Sequence, residues 1–272
     1  MRTTEARVAL GSNLASEPLP MKVLVTFAVE AEFAPWRKLR RFSQSNVGDI
    51  RAYSAQMTDC ELIVLLTGVG GRRAWAEATK VIWDGNVDVC ISSGLAGALR
   101  EKHRPGDVLA AKEVHATNWG KIIPSDRALL EMATACGARV ADAFYSVDRV
   151  LVRSSEKVEL GAKADAVEME SGDIMREAVA FGAKVIAIRG ISDAVEEDLP
   201  VDFNRVMSES GEVSLTKVLS QAAAHPRSIP ALIRFGWQSR NAAEKLAIVL
   251  DACIQRLAST NVMKRAKEVA AR

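Results

Sequence analysis

Five short segments carry the residue types from which an acid–base site could be assembled. They are Glu30 and Glu32; Gly68-Val-Gly-Gly71; Ser92-Ser-Gly-Leu-Ala-Gly97; Glu168-Met-Glu170; and Arg189-Gly-Ile-Ser-Asp193. Carboxylates can hold or move protons, and glycines let a backbone take up conformations that other residues resist. Each segment also has a plainer reading. A glycine-rich turn after a strand is more often a tight turn than a ligand cradle. Glutamates at a helix start favour the macrodipole, and an aspartate there is usually a cap. GVGG lacks the GxGxxG spacing of a dinucleotide site. His103, His115 and His225 are dispersed, and Cys60, Cys90, Cys136 and Cys253 form no CxxC pair. Neither a metal set nor a nucleophilic triad is expected, and no GxSxG or HExxH motif occurs.

Most of these segments close an apolar run. Met21–Val29, Glu61–Val69 and Val87–Ser93 are rich in β-branched residues and read as buried strands. Further strands are expected at Asp107–Ala111, Val147–Val152, Ala166–Met169 and Lys184–Arg189, and helices at Arg72–Asp84, Asp126–Cys136 and Ser171–Phe181. Such alternation predicts one α/β domain with mainly parallel pairing and helices on both faces. Ligands in such sheets gather at the carboxyl ends of strands, where the five segments fall. From Pro200 the strand signals stop. Val213–Ala223 reads as a helix, His225-Pro226-Arg227 breaks it, and Ile229–Leu257 resumes helical periodicity.

The chain has 272 residues, of which 49% are hydrophobic and 26% charged. A chain of that length buries enough surface to need neither disulfides nor a structural metal. No apolar run approaches the ~18 residues of a spanning helix, and the first twenty residues lack a signal-peptide pattern. A cytoplasmic setting is therefore expected. The net charge of +2 is unevenly spread: nine Lys/Arg face three Asp/Glu from Gln221 onward, so an acidic body carries a basic tail.

Taken in order, the segments MKVLVTFAVEAEF, TGVGG, SSGLAGAL with PGDV, AVEMES and VIAIRGISDA resemble the nucleoside phosphorylase/nucleosidase superfamily. Within it they resemble 5′-methylthioadenosine/S-adenosylhomocysteine nucleosidases, from about Met21 to about Leu219. The resemblance implies a single α/β domain, a central mixed β-sheet partly closed into a barrel and flanked by helices. Residues 1–20 would be a leader, 21–222 the catalytic domain and 223–272 a basic helical extension. Glu32 would activate the attacking water, and Asp193 would protonate or hydrogen-bond purine N7. Met169 would lie under the sugar while Glu170 grips the ribose hydroxyls. Val167, Glu168 and the segment Val150, Leu151, Val152 would flank the base, with Gly70, Ser93, Gly94 and Ser192 completing the substrate-binding set.

That division of labour is chemically coherent. Breaking an N-glycosidic bond builds positive charge on the ribosyl ring and negative charge on the departing purine. Asp193 would have to be protonated as the bond breaks, through burial or a neighbouring carboxylate. Glu32 would stay ionised to take a proton from water. Phosphorolytic relatives place an arginine and a serine where this chain has Ser92 and Leu95, so water is favoured over phosphate as nucleophile, although Arg72 or Arg73 could substitute. No cofactor is then required.

Two departures bear on the substrate. The family aromatic that stacks on adenine aligns with Val150, and the stretch between Val108 and the helix near Leu129 is short. GLAG and the tail HPRSIPALIRFGWQSR resemble instead the hopanoid-associated branch, linked to removing adenine from adenosylhopane. Leu232, Ile233, Trp237 and Leu246 are interleaved with Arg227, Arg234, Arg240 and Lys245, a mixture that suits an anionic bilayer surface. The competing expectation is that these apolar residues pack on the body or a second subunit. A homodimer is expected, with a small nucleoside and no nucleic acid as partner. A non-catalytic nucleoside-binding module is the alternative from another class, and a dehydrogenase a distant third.

Overall fold

A computed structural model describes residues 20–47, 50–206, 221 and 226–270. The expected leader (all but Pro20), the expected helix at Val213–Ala223 (all but Gln221) and His225 lie outside them.

The strands are β1 (Met21–Phe27), β2 (Ser43–Val47), β3 (Ile50–Met57), β4 (Cys60–Leu66), β5 (Val89–Ala98), β6 (Val108–Ala116), β7 (Lys121–Pro124), β8 (Arg139–Ser146), β9 (Ala166–Glu168) and β10 (Lys184–Asp193). The helices are α1 (Glu30–Leu39), α2 (Gly71–Gly85), α3 (Arg127–Ala135), α4 (Ser154–Leu160), α5 (Ser171–Ala180), α6 (Phe203–Val206) and α7 (Ile229–Ala270). The strand order is β10-β6-β8-β9-β5-β1-β4-β3-β2, with β7 added on β6. Because β10 also pairs with β5, strands β5, β9, β8, β6 and β10 close into a five-stranded barrel. The remaining strands run outward from β5 as an open wing. The barrel and mixed sheet agree with the fold expected from the resemblance.

Mainly parallel pairing, by contrast, is not what forms. The pairs divide evenly: β1–β4, β1–β5, β10–β5, β6–β8 and β8–β9 are parallel, whereas β10–β6, β2–β3, β3–β4, β5–β9 and β6–β7 are antiparallel. Val147–Val152 is not a strand either. Strand β8 ends at Ser146, and the following residues form a loop leading to α4. The apolar character of Val147 and Leu151 reflects packing beside a cavity rather than a place in a ladder.

Strands β1, β5 and β10 are almost wholly buried, which accounts for their uninterrupted apolar sequence. Asp126 caps α3, its carboxylate accepting from the Leu129 N–H. Helix α7 buries Ala242, Ala243, Leu246, Leu250, Cys253 and Ile254 against the body. That spacing of three and four is one face of a helix, and each large apolar side chain so buried stabilises by roughly 1.5–3 kcal/mol. Gly190 on β10 permits the close fit, since a Cβ there would lie 2.9 Å from the Ala242 carbonyl. Asp251 on α7 accepts from Trp36 Nε1 (3.0 Å) and Arg40 Nε (2.7 Å), tying α7 to α1. Among the described residues no helix is long and apolar enough to cross a membrane.

Candidate active site

Glu32 sits at the third position of α1, immediately after the carboxyl end of β1. Its side chain folds back so that Oε2 accepts from the backbone N–H of Ala28 (3.0 Å) and Val29 (3.3 Å). Oε1 accepts from the Leu95 N–H on β5 at 3.0 Å. Three N–H donors, two just after β1 and one within β5, therefore fix one carboxylate. Burial pushes its pKa up, partly opposed by Arg189 and the three N–H groups. Gly94 makes room for this arrangement: its φ is +136°, and a Cβ there would meet Arg189 Nη1 at 2.6 Å and Glu32 Oε2 at 2.9 Å.

Arg189, on β10, is 1% exposed and organises the floor. Its Nη1 donates to the Ser93 carbonyl at 2.9 Å. Its Nη2 donates to Glu168 (2.5 Å), the Ser171 hydroxyl (2.9 Å), the Ser92 hydroxyl (3.3 Å) and Glu170 (3.4 Å). Glu168 closes β9, and its Oε2 also accepts from the N–H groups of Glu170 and Ser171 at the start of α5. Glu170 Oε1 accepts from the Gly70 N–H at 3.0 Å, bringing the GVGG turn to the same place. Burial raises the Glu170 pKa to about 7 against the pull of Arg189, with Glu168 adding to the rise.

Asp193 ends β10, where the register with β5 shifts between Ile191 and Asp193. Such irregularities re-aim a side chain at a strand end. Its Oδ1 accepts from the Ser192 hydroxyl (2.6 Å), and its Oδ2 lies 2.5 Å from Lys157 Nζ. The neighbour of Asp193 is thus an ammonium, not the carboxylate that would hold a proton on it. Beside Asp193 runs Gly97 of β5, three residues after Gly94 beside Glu32. The two carboxylates therefore stand beside successive parts of the same strand.

A cavity joins these groups. Glu32, Val150, Leu151, Val167, Glu168, Met169, Glu170, Ser192 and Asp193 all line it. Gly70, Ser93, Gly94 and Val152 stand behind the lining. Gly70 and Ser93 hold Glu170 and Arg189, Gly94 gives clearance, and the Val152 carbonyl accepts from the Leu199 N–H. Arg72 and Arg73 fall where side chains are not described, so the expected substitute for a phosphate-binding arginine lies outside the described structure. Among the described residues no cluster of three or more His, Cys, Asp and Glu side chains could hold a metal ion.

The lining residues given no site role from the sequence include Lys157, Leu199, Phe203 and Phe235. Phe203 on α6 and Phe235 on α7 meet with ring centroids 5.5 Å apart. The C-terminal helix therefore contributes directly to the cavity wall.

Residues 22–128 match the family model described as Phosphorylase superfamily. The solved structure of a futalosine hydrolase mutant of Helicobacter pylori strain 26695 is similar with a TM-score of 0.66 at 19% identity, covering 87% of this chain and 99% of that one. The 5′-methylthioadenosine/S-adenosylhomocysteine nucleosidase of H. pylori, solved with butyl-thio-DADMe-Immucillin-A, gives 0.68 at 19% identity, covering 88% and 100%. This is the nucleoside phosphorylase-like fold. The corresponding nucleosidase of Neisseria meningitidis, in complex with methylthio-immucillin-A, gives 0.62 at 22% identity over 84% and 98%. The likeness of fold to these nucleosidases spans the whole barrel.

Proposed function

We propose that this nucleoside phosphorylase-like chain is a purine nucleosidase that hydrolyses the N-glycosidic bond of a 5′-substituted adenosine and releases adenine. The observation that carries this reading is the convergence of Glu32, Glu170 and Asp193, from three distant parts of the chain, on one cavity. In this reading Glu170 accepts from the ribose hydroxyls and Met169 lies under the sugar, both lining the cavity. Glu32, held by three N–H groups and raised by burial, is suited to take a proton from water at neutral pH. Asp193 and Ser192 at the far end would face the purine ring. Oε1 of Glu168 is buried and has no hydrogen-bond partner among the described residues, which suits a bound water or ligand hydroxyl.

Charge favours water over phosphate. Glu32, Glu168 and Glu170 crowd round one guanidinium, that of Arg189, which is already shared among them. A phosphate dianion entering there would meet an excess of negative charge, whereas water would not.

Leu199, Phe203 and Phe235 line the same cavity, and their apolar surfaces suit an apolar 5′ group. Together with the resemblance to the hopanoid-associated branch, this favours adenosylhopane as substrate. On α7 the exposed residues Ile229, Ile233 and Trp237 follow one another at intervals of four, near Arg227, Arg234 and Arg240. That ridge supports peripheral contact with the inner face of a membrane, where such a substrate would reside. Leu246 does not take part, since it is fully buried in the body. Exposed Trp83 and Phe181, paired at 5.7 Å, are consistent with burial in a homodimer.

Incubation with adenosine, methylthioadenosine and adenosylhopane, with and without phosphate, tests the reading. Free adenine with ribose-type product, independent of phosphate, is the expected result. Ribose 1-phosphate formed only with phosphate would make the chain a phosphorylase. Saturable binding without any product would make it a binding module.

A further inference from the structure

Lys157 is a buried lysine in an apolar cavity wall, and its position calls for an account that no known role supplies. It lies on α4, is 1% exposed, and has all three donors engaged: Asp193 Oδ2 at 2.5 Å, the Glu197 carbonyl at 2.7 Å and the Ala194 carbonyl at 3.0 Å. A lysine that donates three hydrogen bonds at once is an ammonium. It therefore faces Asp193 as the cation of a buried pair, with no donor left to touch a ligand. Other charged groups lining the cavity are Arg149 before α4, Glu168 and Glu170 at β9, and Glu32 on α1. Arg149 is paired with Glu156, and the three glutamates gather on Arg189 or on backbone N–H groups. Glu197, after β10, turns its carboxylate to the Ala194 N–H and to Arg234 and Gln238 of α7. Among the described residues, Lys157 is the cation paired with Asp193.

We propose that Lys157 is a positioning residue that acts through Asp193, keeping it ionised in the resting enzyme and passing it the proton that the leaving purine takes. This rests on the nucleosidase reading above. As the C1′–N9 bond breaks, its electron pair moves onto the purine. Asp193, a carboxylate in the resting pair, takes a proton from the Lys157 ammonium and hands it to N7, so the aspartate ends as a carboxylate and the lysine as a neutral amine. The amine left behind has two N–H bonds to share among the Asp193 carboxylate and the Ala194 and Glu197 carbonyls. Solvent restores its proton once adenine has left. The ammonium thus becomes neutral only as the purine does, and a buried unpaired cation never arises.

The test compares wild type with Lys157→Met and Lys157→Gln on two substrates: 5′-methylthioadenosine, whose adenine leaves with a proton, and 4-nitrophenyl β-ribofuranoside, whose phenolate leaves without one. Expected for both variants is a fall in kcat of at least 100-fold on the nucleoside at pH 7.5, with KM within about threefold. Turnover of the nitrophenyl riboside should stay within about threefold. Gln guards against a folding failure, since its amide can still serve a carbonyl. Equal losses on both substrates, or wild-type turnover of the nucleoside, would overturn the proposal while leaving the nucleosidase reading intact. Failure of wild type to release adenine from any 5′-substituted adenosine would overturn both.

Discussion

Arg189 Nη2 reaches Glu168 at 2.5 Å but Glu170 at only 3.4 Å, so the two carboxylates that flank Met169 share one cation unequally. Glu168 receives the short contact and two further N–H bonds, while Glu170 keeps one N–H from Gly70 and its raised pKa of about 7. The asymmetry leaves Glu170 the less tightly held of the pair, with lone pairs to turn to a ligand. Its ionisation should therefore be felt in both binding and stability.

For binding, kcat/KM should fall as pH drops through about 7, because a protonated Glu170 no longer accepts from both ribose hydroxyls. For stability the sign runs the other way. With a folded pKa above the unfolded value of 4.5, the folded state binds more protons between about pH 4.5 and 7. Glu170 thus favours folding at low pH, and that contribution is lost as pH rises to about 7, at most roughly 3 kcal/mol in all. Melting temperature measured from pH 5 to 8 should decline less steeply in Glu170→Gln than in wild type. Glu32, raised in the same direction, leaves a residual slope. Parallel curves for the two proteins would show that Glu170 ionises normally.

Asp193→Asn should abolish adenine release, but not silently. Removing the carboxylate strands the buried Lys157 ammonium, a loss of about 3–5 kcal/mol for a broken buried pair. Thermal melting should drop markedly in the single variant and recover in Asp193→Asn combined with Lys157→Met, while turnover stays absent. Unchanged melting in the single variant would mean that the pair contributes nothing net to folding.

Gly94→Ala should be more damaging than its single methyl suggests. The added Cβ falls within 3 Å of both Arg189 and Glu32, at a φ that L-residues rarely adopt. A loss of roughly 1–3 kcal/mol in stability is expected, together with a fall in kcat like that of Glu32→Gln. For Glu32→Gln itself, kcat should drop far more than KM rises, since the side chain acts on water. A Gly94→Ala enzyme with normal kcat would show that Glu32 can move freely, contrary to its three N–H bonds.

The sequence reveals the site more readily than the scaffold, for physical reasons. β1, β4, β5 and β10 are buried apolar runs and declare themselves as strands, and Glu32, Glu170 and Asp193 stand at or beside strand ends with recognisable neighbours. β2 (SQSNV) and β3 (IRAYSAQM) lie on the outer wing, where polar residues are tolerated and no apolar run marks them. Helix α1 carries Pro35, a residue that argues against a helix interior until its packing is seen. Lys157 is the hardest case. In SSEKVEL it reads as one more solvated charge, and only the return of β10 beside α4 turns it inward. Phe235 is missed for a related reason: its partner Phe203 is 32 residues away on a separate helix.

The basic tail divides on the structure, and the division sharpens its test. One face of α7 is core, through Leu246, Leu250 and Ile254, while Ile229, Ile233 and Trp237 are exposed, Trp237 by 73%. Truncating the helix would therefore unfold the body and test nothing about membranes. Ile233→Glu with Trp237→Glu should leave melting nearly unchanged, as surface substitutions usually do. Full-length wild type should float with vesicles containing anionic lipid at low salt, and the double variant should not. Each nearby basic residue adds roughly 1 kcal/mol to such contact. The Debye length falls from about 10 Å at 0.1 M to about 3 Å at 1 M salt, so flotation should fade across that range. If wild type stays in the soluble fraction at low salt, the exposed ridge is better assigned to contact with another protein surface. The cavity chemistry, which depends on Glu32, Glu170 and Asp193 rather than on the ridge, would be untouched by that result.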